Sequence, residues 1–99
     1  MDTEITLVVP IHAKNELRDE VRKRLVDLAE KTQREKGNIC YVLHEVHAEP
    51  NHFIIYEKWK NREALDFHMD QDYLKAFLAD EKKNLSKPIA GTVCREIHR

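Results

Sequence analysis

Glycine is nearly missing from this chain: Gly37 and Gly91 are the only two among 99 residues. A phosphate-binding loop needs clustered glycines so that backbone N–H groups can approach the anion, and no such cluster can be drawn here. A nucleotide cofactor is therefore not expected. Cysteine is equally sparse. Cys40 and Cys94 form no C-x-x-C pair, which argues against zinc, and each falls in a predicted strand where a free thiol packs as a small hydrophobe. No apolar run approaches the ~18 residues of a membrane span. The opening Met-Asp-Thr-Glu lacks a basic segment followed by a hydrophobic one, so it does not read as a signal peptide. The expectation is a cytoplasmic protein with no membrane partner. Net charge is also missing: 17 Lys and Arg against 18 Asp and Glu leave −1, with the two signs interspersed. Without a basic stripe, a nucleic-acid partner is not expected.

What remains suits a single α+β domain over residues 1–99, 41% apolar and 35% charged, whose helices have strongly solvated outer faces. Residues 5–12 are rich in Val and Ile and predict a strand, with Pro10 calling for a bulge or an edge segment. Asn15 is placed to cap the helix that follows, and Leu17, Val21, Leu25, Leu28 and Thr32 give it one buried stripe. Gly37 stands where a left-handed helix C-cap is wanted. Strands are predicted over 39–47 and 52–60, joined by the turn Ala48-Glu49-Pro50-Asn51. Asn61 can cap a second helical region, bent near 69–72 and ended by Pro88, and residues 89–97 predict the last strand.

The order β-α-β-β-α-β matches a ferredoxin-like antiparallel sheet with its helices on one face. Strand parity puts Ile39, Tyr41 and Leu43 opposite Cys40, Val42 and Val46, and Phe53, Ile55 and Trp59 opposite Ile54 and Tyr56. Both sheet faces are thus apolar while helices exist for one. A second copy of the sheet is the simplest cover for the other, which predicts a homodimer.

Within 37–77, the strand Ile-Ile-Tyr-Glu-Lys-Trp followed by Ala-Leu-x-x-His resembles the signature of the antibiotic biosynthesis monooxygenase (ABM) family. The resemblance implies a dimeric α+β barrel, frequently working without any cofactor, that oxidises a quinol or small aromatic substrate with O2. It also distinguishes subgroups. Haem-degrading relatives carry an Asn on strand one and a ligating His ten residues beyond the position of His68, where this chain has Val8 and Leu78. Anthrone-oxidising relatives share the Trp matched by Trp59, but their neighbouring Asn and Tyr fall at Ile55 and Leu65. Autoinducer-processing isomerases, which move a proton in a phosphorylated diketone, resemble Tyr56-Glu57 and Phe67-His68. That chemistry stays open, as does a non-catalytic small-molecule binder.

His68 is the candidate catalytic base. A near-neutral imidazole can take a proton from a phenol and make it electron-rich enough to reduce dioxygen; equally, the ring can fix the helix bend. Trp59, Tyr73, Phe77 and Glu57 are the candidate substrate-binding residues. Trp59 is either core or pocket floor, and Glu57 shares its strand face and needs a partner if buried. Tyr73 stands where many relatives have a His, with Asp72 in place of a Pro, and a phenol is a weak base at neutral pH. The other histidines lack the spacing of a helical metal pair; His44 and His47, three apart on a strand, point to opposite faces. No metal is expected.

Overall fold

Residues 3–99 are described by a computed structural model. The elements are β1 (Ile5–His12), α1 (Arg18–Thr32), β2 (Asn38–Glu45), β3 (His52–Trp59), α2 (Arg62–Met69), α3 (Asp72–Ala79), α4 (Glu81–Asn84) and β4 (Thr92–Cys94). The four strands form one antiparallel sheet in the order β2-β3-β1-β4, the predicted ferredoxin-like α+β arrangement. β1 and β3 pair along their whole length, Ile5 with Trp59 through His12 with His52. Pro10 lies beyond the last β1–β4 pair, Val8 with Thr92, so one edge of β1 there has no strand neighbour and a missing N–H forfeits no ladder bond on that side.

Alternation sorts the strands as their parity requires. Val9, Ile11, Tyr41, Phe53, Ile55 and Trp59 are buried under the helices. From α1 the buried residues are Val21, Leu25, Leu28, Ala29 and Thr32, nearly the expected stripe, with Leu17 partly buried at its edge. The Asn61 side chain caps α2 by accepting a hydrogen bond from the Ala64 N–H at 2.8 Å. The second helical region breaks at Asp70 and Gln71, as predicted.

Four local readings need correction. Asn15 opens a 3-10 turn, Asn15–Leu17, and its Oδ1 accepts from Asn51 Nδ2 at 3.1 Å; the cap of α1 is Leu17, without a side-chain bond. Gly37 is not left-handed, for no described glycine has a positive φ. α1 ends earlier, and Gly37 is required by contact: a Cβ there would lie 2.3 Å from the Cβ of Ala64. Ile39 falls at a register shift between Asn38 and Cys40 and is exposed rather than inward-facing. The last strand is three residues, not nine. Its first part is diverted because the Ile89 N–H donates to Glu81 Oε2 at 2.7 Å, outside any ladder.

The sheet face away from the helices carries Val8, Val42, Ile54 and Tyr56 around a shallow depression, with Val42 44% and Tyr56 37% exposed. Lys58, on the same face, is 8% exposed and paired with Glu96. No helix among the described residues is long and apolar enough to cross a membrane.

Candidate active site

Three parts of the chain meet beneath the centre of the sheet: the paired strands β2 and β3, the end of α2, and the turn after α1. β3 contributes Glu57 and Trp59, which are two apart and so share the helix-facing side. The Trp59 indole N–H donates to Glu57 Oε1 at 3.0 Å, and both residues are buried. In β2, Tyr41 stands directly beside Glu57 in the register. The last turn of α2 brings the His68 ring onto Trp59, centroids 4.5 Å apart and inclined by 33°. Tyr41 lies 6.0 Å from the same imidazole, tilted by 60°.

The third segment is the turn after α1. Glu35 points inward from it, and its side chain is 5% exposed against 3% for that of His68. Glu35 Oε2 lies 2.8 Å from His68 Nδ1, and the Tyr73 hydroxyl donates to the same oxygen. The break between α2 and α3 makes this possible. An unbroken helix would carry residues five apart to different faces, whereas the kink aims His68 and the first turn of α3 at one acceptor. A carboxylate has no proton to give, so Nδ1 carries the hydrogen. Nε2 makes no hydrogen bond among the described residues.

A cavity of about 290 Å³ opens beside this group, between the sheet and α3. Leu7, Val9, Ile11 and Ile55 line its sheet side, Phe77, Leu74 and Leu78 close it from α3, and Tyr41, Glu57, His68 and Glu81 are its polar points. The volume is at the lower end of small-molecule sites, and the pattern of an apolar wall with a few convergent polar groups is theirs. Neither Lys nor Arg lines it. Gly91 closes the far wall, where a Cβ would come within 3.2 Å of Val9 Cγ2.

Burial dominates the electrostatics. Desolvation pushes the Glu57 carboxyl above its ordinary range, against the lowering influence of the Trp59 N–H and of His68. The Tyr41 phenol is raised far above its usual value, first by burial and then by the Glu57 charge, so it stays protonated as a donor. Tyr73 is raised too, by desolvation first and then by its bond to Glu35. No group of three His, Cys, Asp or Glu suited to a metal occurs among the described residues.

Of the residues singled out from sequence, the cavity wall contains His68, Glu57 and Phe77. Trp59 has no exposed surface and supports the site from beneath, and Tyr73 borders the opposite groove while reaching inward through Glu35. Glu35 and Tyr41 were not foreseen. Tyr41 had a signal, its inward parity on β2; Glu35, between Arg34 and Lys36, had none.

Known proteins share this architecture. Rv0793 from Mycobacterium tuberculosis superposes with a TM-score of 0.91, covering 98% of both chains at 22% identity, and PA3566 from Pseudomonas aeruginosa also gives 0.91, covering 99% of this chain and 98% of that one at 21%. At such identity the likeness is one of fold. In sequence, the Bacillus subtilis (strain 168) protein named "Putative monooxygenase YcnE" is 35% identical over 85 residues, 86% of this chain and 90% of that one. Protein sll1783 of Synechocystis sp. is 31% identical over 87 residues, 88% of this chain but 59% of its own length. The family model described as "Antibiotic biosynthesis monooxygenase" matches residues 4–80. With the fold, the strand-to-helix signature and this match in agreement, the chain belongs to the antibiotic biosynthesis monooxygenase family.

Proposed function

We propose that this protein is a cofactor-independent monooxygenase that oxidises a neutral hydroxyaromatic substrate, a quinol or naphthol, with His68 as general base. The observation that carries the reading is a buried imidazole at the cavity wall, bonded through Nδ1 and unpartnered at Nε2. The name borne by the B. subtilis relative supports the reaction class.

In this reaction Nε2 takes the proton of the substrate hydroxyl. The resulting anion gives one electron to O2, and the superoxide and substrate radical combine at ring carbon to form a hydroperoxide. Loss of water then leaves a new carbonyl, so that a quinol and O2 give a hydroxyquinone and water. Both electron pairs come from the substrate, which is why neither flavin nor metal is needed for the balance. The protonated Tyr41 can donate to a substrate oxygen.

The cavity lining favours oxygenation over isomerisation of a phosphorylated diketone. A phosphate would meet Glu57 and Glu81 with no Lys or Arg to offset its charge. The active form is a homodimer joined through the exposed sheet face, whose Val42, Ile54 and Tyr56 form a patch of the kind monomers rarely leave open. An oxygen-electrode screen with quinols, naphthols and anthrones tests the function, with a phosphorylated diketone assayed for isomerisation alongside. Stoichiometric O2 consumption with a quinol or naphthol is the expected result. Uptake with none, or turnover of the diketone alone, would overturn it.

A further inference from the structure

The convergence of two hydrogen-bond donors on one buried carboxylate oxygen does more than hold α2 and α3 to the end of α1. We propose that Glu35 is the positioning residue of the site: by accepting from Nδ1 it fixes the His68 tautomer whose Nε2 lone pair is free, and it stabilises the imidazolium formed during turnover. The inference rests on the reading of His68 as the base. Glu35 touches no substrate, while the proton passes from the substrate hydroxyl to Nε2 and later returns to the departing oxygen.

Several observations carry the assignment. Glu35 is set in a turn hydrogen-bonded on both sides, its N–H donating to Thr32 O at 3.0 Å and its own carbonyl accepting from the Asn38 N–H at 3.1 Å. Tyr73 supplies a second donor to Oε2, which locks the carboxylate in the plane where Nδ1–H meets it. Glu35 Oε1 is buried without a partner. A carboxylate left so incompletely satisfied is a poor purely structural device, since a neutral or apolar residue would fill the space with less desolvation. It suits a site where a positive charge appears on the neighbouring ring. Trp59 lies tilted against the His68 ring and Glu57 is turned to the indole N–H, so Glu35 is the group that holds Nδ1.

Long-range 1H–15N correlation spectra of the 15N-labelled protein, at a pH where His68 is neutral, read the tautomer directly. His68 should carry its hydrogen on Nδ1. A hydrogen on Nε2 would overturn the proposal, whatever the variants do. In Glu35→Ala the tautomer should move toward Nε2–H, and kcat should fall about 10- to 100-fold with KM changed little, because the base loses the group that orients it. Added acetate or formate should restore part of kcat by entering the vacated space. Unchanged tautomer and kcat in a folded Glu35→Ala protein would refute the role. His68→Ala separates the two layers: full activity there would sink the base itself, while an inactive His68→Ala beside a fully active Glu35→Ala would sink only the positioning role.

Discussion

Substituting Gly37 by Ala tests the link between the fold and the site. The added Cβ would lie 2.3 Å from Ala64 Cβ and 3.3 Å from Ala64 Cα, far inside contact distance. Neither atom can rotate away, because Ala64 sits in the first turn of α2 under the Asn61 cap, and the Gly37 carbonyl accepts from the Lys60 N–H at 2.9 Å. α2 or the start of β2 must therefore shift. Overpacking of this sort typically costs ~1–3 kcal/mol. Reduced freedom of the unfolded chain returns about 0.4–1 kcal/mol, since Gly37 has no positive φ to forbid alanine. Those ranges net to roughly 0–2.6 kcal/mol, about 1.3 at their midpoints, or about 5–10 °C in Tm for a domain of this size. The displacement should also weaken the His68–Glu35 bond, one turn further along α2, and so lower turnover. Ala64→Gly removes the opposing methyl and alone costs up to ~1 kcal/mol in helix propensity. Combined with Gly37→Ala it should recover part of the loss. Thermal melts of the four proteins form a double-mutant cycle. A Gly37→Ala protein as stable as the parent, or strictly additive effects in the double mutant, would refute the reasoning.

Glu57→Gln keeps an acceptor for the Trp59 N–H and removes the buried charge. Because the folded pKa of Glu57 is raised, the native state binds more protons than the unfolded one, so this group's contribution to stability is present at acid pH and is lost as pH rises through the folded value. Urea titrations at acid and alkaline pH should show the parent gaining on the variant as pH falls, and an equal pH dependence in both proteins would contradict this. Val42→Asp places a charge within the apolar patch of the exposed sheet face. Sedimentation at micromolar concentration should give twice the chain mass for the parent and the single chain mass for the variant; a parent that stays monomeric refutes the dimer.

The architecture was legible because its determinants are local. The alternation in β3, the stripe on α1 and the Asn61 cap each follow from neighbours in sequence, and each formed where periodicity placed it. What could not be read depends on tertiary contact. Arg34-Glu35-Lys36 looks like a solvated helix end, and only the approach of α2 and α3 buries the middle residue. Gly37 reads as a helix stop, yet its requirement comes from Ala64, 27 positions away. Ile89 looks like a strand residue until Glu81 captures its N–H. Trp59 illustrates the same limit from the other side: parity located its face correctly but could not tell cavity wall from the layer beneath it.

The central claim is that His68 Nε2 removes the substrate proton, and kcat/KM of the parent and of His68→Ala tests it most directly. On a substrate confirmed by oxygen uptake, His68→Ala should lose about 10²–10⁴ in rate. His47→Ala, at an exposed position beyond β2, should match the parent. A folded His68→Ala protein with the parental rate would contradict the account.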